Sequence, residues 1–133
     1  MALSDFQFTS PVLLGIQMNV NKDYTPDKEK KVPIHAEANV NVLKVKALNE
    51  AQVTLYLSVN KDMSDSAPYV IEAEITSLFT WDKEAYTDEM LNGLLKQNAP
   101  ALLISYIRPL IAMITNASPY ETCTIPFMDF TKE

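Results

Sequence analysis

Ala51-Gln52-Val53-Thr54-Leu55-Tyr56-Leu57-Ser58-Val59-Asn60 is the stretch that decides the fold. Its odd-numbered residues are all apolar, and its even-numbered ones are polar or amphipathic. Only an extended strand turns a period of two into one apolar and one solvated face. The same pattern recurs on both sides. Val12, Leu14, Ile16, Met18 and Val20 alternate before it, as do Ile34, Ala36, Ala38, Val40 and Val42. After it, Tyr69, Ile71, Ala73, Ile75, Phe79 and Trp81 face one way, with Glu72, Glu74, Thr76 and Thr80 opposite. The expected strands are about 12–20, 33–43, 50–60 and 69–81. The charged, proline-containing segment 21–31 and the polar turn 61–67 punctuate them. Four strands joined by polar connections predict an antiparallel meander.

Beyond Trp81 the period changes. A helix is expected over about 86–98, with Met90, Leu91, Leu94 and Leu95 as its stripe and Thr87-Asp88-Glu89 as its capped start. Pro100 suits the first turn of a second helix, about 100–116. Leu103, Tyr106, Ile107, Leu110 and Ile114 share one side of it, and Arg108 is its only charge. A helix apolar nearly all round needs cover on more than one face, so these five residues are expected to serve the core and an oligomer interface. Pro109 predicts a kink. The tail, 119–133, is expected to be extended, because Pro126 has no N–H for a central strand. The fold class is thus α+β, a single domain with both helices on one side of a four-stranded sheet.

Bulk chemistry narrows the function. The 133 residues suit one domain, and 47% hydrophobic content is ordinary for a packed one. Only Gly15 and Gly93 occur, which excludes the clustered-glycine loops that cradle nucleotide phosphates. A net charge of -6 argues against nucleic acid as a partner. Acidic residues concentrate between Asp62 and Glu89, eight of them against Lys83 alone. Glu72 and Glu74, two apart on a strand, share a face that suits a cationic partner, although a plain solvated face reads the same way. His35 and Cys123 are single and lie in no motif, too few ligands for a metal and no base for a nucleophile. No cofactor and no enzymatic activity are expected. One cysteine fits a reducing compartment, and Met1 to Asp5 show no signal-peptide pattern. Ala99 to Ile114, interrupted by Pro100, Arg108 and Pro109, is short for a membrane span, so a cytoplasmic chain without membrane insertion is expected. Phe6, Phe8, Phe127, Met128 and Phe130 lie in segments flanking the folded middle, where they either line an exposed groove or cap the core.

Three stretches carry a family resemblance. Pro68-Tyr69-Val70-Ile71-Glu72-Ala73-Glu74-Ile75-Thr76-Ser77-Leu78-Phe79 is an apolar run around a glutamate ending in an aromatic. Ala99-Pro100-Ala101-Leu102-Leu103-Ile104-Ser105-Tyr106-Ile107-Arg108 combines a proline with a Tyr-x-Arg triplet. Thr124-Ile125-Pro126-Phe127-Met128-Asp129-Phe130 is similar to a Leu-x-Pro-x-Asn-Phe segment. In this order they resemble the SecB family of export chaperones, over about half the chain. Two departures stand out. The family usually has proline just before the triplet, where Ser105 stands here, and Pro109 follows the arginine instead. The family also continues into a C-terminal helix and a mobile tail, whereas this sequence ends at Glu133.

The resemblance implies a cytoplasmic homo-oligomer, a dimer of dimers, that holds unfolded or non-native polypeptides without ATP. It further implies docking of the SecA motor on the acidic face of the sheet, where Glu72 matches the family's glutamate and Val70 the neighbouring apolar contact. Clients would lie in aromatic and methionine-lined grooves, through many weak apolar contacts. Two other readings stand beside it. One is a SecB-like adapter dedicated to a single partner, such as an antitoxin or a phage protein. The other is a structural oligomer without a client.

Overall fold

The computed structural model describes residues 2–26 and 34–131. A long antiparallel sheet forms one layer; a helix and an extended tail form the other. The strands are β1 (Gln7–Phe8), β2 (Val12–Val20), β3 (Ala36–Val45), β4 (Glu50–Val59) and β5 (Tyr69–Thr80). The four alternating stretches are the four long strands. Residue 33, the expected start of the second of them, and part of the charged loop before it lie outside the described residues.

The strand order corrects the meander. β3, β4 and β5 follow one another through short turns, but β2 pairs with β5, so the order across the sheet is β2-β5-β4-β3. The first long strand thus lies beside the last, as in a Greek key. A short strand not expected from the sequence, β1, extends the same edge by pairing Gln7 and Phe8 with Thr80 and Phe79. Hydrophobic alternation specifies which face of a strand is buried. It does not specify its neighbour.

The face assignments hold in β4 and β5. Ala51, Val53, Leu55, Leu57 and Val59 are fully buried, with Tyr69, Ile71, Ala73, Ile75 and Phe79 beside them. In β2 an irregularity in register between Leu13 and Gly15 breaks the expected phase. Ile16, Met18 and Val20 stay opposite the core residues Ala73, Ile71 and Tyr69, but Val12 moves opposite Thr76 and Leu13 opposite Ile75. One extra residue in a strand exchanges its faces. Val12, Leu13 and Leu14 are consequently exposed at the sheet edge.

Asn60 closes the β4–β5 connection. Its left-handed φ of 60° is one that asparagine tolerates. Its buried side chain accepts from the His35 N–H at 2.8 Å and donates to the Tyr69 carbonyl at 3.2 Å, tying the start of β3 to the start of β5.

The helices form one continuous stretch, Asp88–Asn116, in place of two. α1 (Asp88–Gly93) starts where Thr87 Oγ1 accepts the Met90 N–H at 3.2 Å. A widened π turn, Leu94–Asn98, leads into α2 (Ala99–Asn116). The wide turn sits directly before Pro100, which has no N–H and whose ring would press on the Lys96 carbonyl. Leu91, Leu95, Ala99, Leu103, Ile107, Ile111 and Thr115 are all buried, a spacing of four throughout. In a straight α-helix that spacing drifts by about 40° per step; the wide turn offsets part of the drift. Helical structure continues through Pro109. This stretch is long and apolar enough to cross a membrane, unlike the shorter apolar run read from the sequence, a property that the core helix of a folded domain shares. Here its buried stripe packs on β4 and β5.

Candidate functional site

Two surfaces gather the residues expected to be functional. The first is the outer face of the sheet, which no helix covers among the described residues. Val70, Glu72 and Glu74 all point there, alternating with the buried Ile71 and Ala73. The cross-strand rows are Gln17–Glu72–Ser58 and Gly15–Glu74–Tyr56. The Tyr56 hydroxyl donates to Glu72 Oε1 at 2.6 Å, and Lys61 Nζ lies 3.5 Å from the same carboxylate and 5.5 Å from the Tyr56 ring centroid. The Tyr56 bond, more than the lysine, lowers the Glu72 carboxyl below the ordinary carboxylate value, and in turn the Tyr56 hydroxyl is raised. Half-exposed charges are screened, so the Lys61 pair is weak. Glu74 is exposed. Because Gly15 has no side chain, a shallow depression of about 300 Å³ opens between Gln17, Tyr56, Glu72 and Glu74. Tyr56 and Lys61 were not among the residues singled out from the sequence. Only strand register brings them to Glu72.

The second surface is aromatic and lies on the helix side. Phe6 stacks on Phe79 at 5.4 Å and on Trp81 at 6.4 Å, and meets Tyr86 edge-on at 6.4 Å. Phe8 packs on Phe79 at 6.2 Å and edge-on to Tyr106 at 6.3 Å. Phe6 is therefore largely part of the core, and Phe8 and Tyr106 are its exposed continuation, 38% and 43% exposed. The tail phenylalanines lie elsewhere: among the described residues no ring contact joins Phe127 or Phe130 to Phe6 or Phe8. Met128 and Phe130 pack against the core, whereas Phe127 is 97% exposed. The five expected groove residues thus divide between two places.

The tail runs back along α2. Thr115 Oγ1 accepts the Cys123 N–H at 2.8 Å, and Tyr69 Oη donates to the Glu121 carbonyl at 2.9 Å. Arg108 clasps it further along, with Nε donating to the Ile125 carbonyl at 3.0 Å and Nη2 to the Pro126 carbonyl at 2.9 Å. Its guanidinium lies 5.5 Å from the Phe127 ring centroid. The arginine of the Tyr-x-Arg triplet thereby holds the Ile-Pro-Phe segment, so two of the three motifs are one structural unit. Cys123, buried under this strap, has its thiol raised by burial.

Of the five expected interface residues, Leu103 and Ile107 are completely buried against their own sheet. They belong to the chain's own core. Tyr106, Leu110 and Ile114 remain wholly or partly accessible, and with Leu102 and Met113 they form an outward apolar band along α2.

With this geometry in place, comparison with known proteins decides the family. The family model of SecB, the preprotein translocase subunit, matches residues 15–132. The chain belongs to the SecB family. The SecB-like chaperone of Mycobacterium tuberculosis, solved in complex with a ChAD peptide from an antitoxin, has a similar fold, with a TM-score of 0.71 at 19% identity. That match covers 94% of this chain and 91% of the other. A protein of unknown function from Streptococcus agalactiae is also similar, with a TM-score of 0.52 at 12% identity, over 95% and 100% of the two chains. Among curated protein sequences none matches this one. The fold shared with the SecB-like neighbour accounts for the open antiparallel sheet and the long helix.

Proposed function

We propose that this SecB-family chain is a cytoplasmic chaperone that holds non-native polypeptides without ATP and works as a homo-oligomer. One observation carries the reading: an apolar, partly aromatic band in which Phe8 of β1 and Tyr106 and Met113 of α2 are exposed and Leu102 and Leu110 partly accessible. A band of this kind on a folded domain marks a surface for another polypeptide. Met113 adapts to differently shaped side chains, and the rings of Phe8 and Tyr106 supply large contact area. Another subunit covers its Leu110 and Ile114 end, and clients bind at its Phe8 and Tyr106 end. The acidic outer face, with Val70, Glu72 and Glu74, is the docking site for a SecA-type motor. The test is suppression of aggregation of a reduced, unfolding protein by the purified chain, with solution mass measured alongside. Suppression at substoichiometric oligomer supports the reading; none at excess removes it. Glu72→Lys that leaves motor binding unchanged removes the docking role.

A second reading has its own support. The M. tuberculosis SecB-like chaperone is bound to a peptide from an antitoxin. By analogy this chain serves one dedicated partner. Recovery of a single stoichiometric protein with the tagged chain, and failure to hold unrelated unfolded proteins, favours that reading over general holding.

A further inference from the structure

Gly15 sits inside β2 although neither its backbone nor its packing requires a glycine. Its φ is not positive, and a Cβ added there would meet nothing within 4 Å. The irregularity in register beside it therefore asks for no left-handed residue at this position. Glycine weakens a strand, through the entropy lost on folding and the side chain it does not pack. A strand glycine also marks places where a ligand or another chain comes close. What Gly15 does here is keep a space open.

That space is the depression of about 300 Å³ on the outer face, between Gln17, Tyr56, Glu72 and Glu74. Gly15 pairs with Glu74, and Glu74 in turn with Tyr56. Glu72 and Glu74 are two residues apart on one strand, so their backbones are about 7 Å apart on the same side. The Tyr56 hydroxyl and Lys61 Nζ both meet Glu72 at Oε1, and Oε2 takes part in neither contact. Glu37 lies in the Glu72 row, beyond Ser58. The depression is thus surrounded by Glu37, Glu72 and Glu74 against the ammonium of Lys61. Beyond the sheet end, Lys22 is followed by Asp23, and the β4–β5 turn adds Asp62 and Asp65.

We infer that the depression over Gly15 takes one arginine side chain of the protein that docks on the outer face, and that Gly15 is the residue that admits it. The inference rests on the docking reading of Glu72 and Glu74 and deepens it. A guanidinium is flat, and its fork of N–H groups reaches Glu72 Oε2 and Glu74 together while its face lies against the Tyr56 ring. An ammonium is a compact point charge and meets one carboxylate at a time. Tyr56 and Lys61 are positioning residues: by holding Oε1 they restrain the Glu72 carboxylate and leave Oε2 to the partner. A larger side chain at position 15 would project into the depression and take the place of the guanidinium.

The experiment titrates the full chain into two fluorescein-labelled, amidated peptides of equal length and charge, one alternating arginine with serine and one alternating lysine with serine. Fluorescence anisotropy at low salt should show the arginine peptide binding about threefold more tightly. Gly15→Val changes no charge and suits a strand, so net electrostatics cannot account for its effect. It should lower affinity for the arginine peptide about fivefold and erase the preference over lysine, with native far-UV circular dichroism retained. Gly15→Ala should fall between, and it decides the matter if Gly15→Val does not fold. Arginine-peptide affinity unchanged in the folded Gly15 variants, or no preference for arginine in the unaltered chain, overturns the arginine site. Glu72→Lys then judges the docking reading separately. Motor binding lost in that variant leaves docking standing without the arginine site, and motor binding unchanged removes both.

Discussion

Replacing Arg108 should unfasten the tail, and Cys123 makes the event measurable. Arg108→Met keeps the apolar stem and removes both bonds to the strap. The Nε bond to the Ile125 carbonyl is partly buried and charge-assisted, worth about 1.5 kcal/mol. The Nη2 bond to the Pro126 carbonyl is exposed and adds about 0.5 kcal/mol. Contact with the Phe127 ring adds little, since that ring is almost wholly in solvent. A loss of about 2 kcal/mol raises the population with an open strap about 30-fold. Cys123 is the single cysteine and is fully buried, so reaction with a thiol reagent at fixed pH reports that opening. The modification rate should rise by the same factor of about 30 while far-UV circular dichroism stays native. Arg108→Lys should recover less than half of the protection, because an ammonium lacks the fork that reaches two carbonyls. A rate change below about threefold would refute the clasp. So would a rate rise matched by complete loss of native structure, since the strap is argued to open locally.

Asn60→Ala should destabilise the fold by about 2–4 kcal/mol in urea unfolding, since it loses two buried bonds and forces alanine to a left-handed φ; Asn60→Gly should cost about 1 kcal/mol less. Tyr56→Phe should raise the titration midpoint of the Glu72 carboxyl, followed by NMR, toward the ordinary value. Because that carboxyl is lowered in the folded state, its contribution is present above its unfolded value and lost as pH falls through the folded one. The acid limb of the stability profile should therefore flatten in Tyr56→Phe. Gly15→Ala should leave stability unchanged or raise it by up to about 1 kcal/mol, because an added Cβ meets open space and the residue needs no positive φ. Leu110→Glu should reduce the oligomer mass in light scattering without lowering the melting temperature by more than a few degrees, since this side chain is only partly buried in the single chain.

What could be read in the sequence followed from local chemistry. Alternation in Ala51 to Val59 and Tyr69 to Phe79 identified the buried face, because a pleated strand presents successive side chains to opposite sides. Thr87 marks the helix start through its cap, and Pro126, which has no N–H to give a ladder, lies outside every strand. Glu72 and Glu74 were placed on the uncovered face by the same parity.

The tertiary structure decided whatever depends on which distant residues become neighbours. β2 lies beside β5 because the sheet offered that edge, and no residue of β2 encodes the choice alone. A one-residue irregularity next to Gly15 exchanged Val12 with Leu13, a step invisible to a period count. The two expected helices fused because Pro100 is accommodated by a widened turn when the whole stripe from Leu91 to Thr115 has a sheet to bury against. Tyr56 with Glu72, Arg108 with the Ile125 carbonyl, and Lys44 with Asn92 are long-range meetings of this kind. Periodicity fixes each element's inward face, since that depends only on backbone geometry and the exclusion of water. Partnership between elements is settled by chain closure and packing, which no single segment contains.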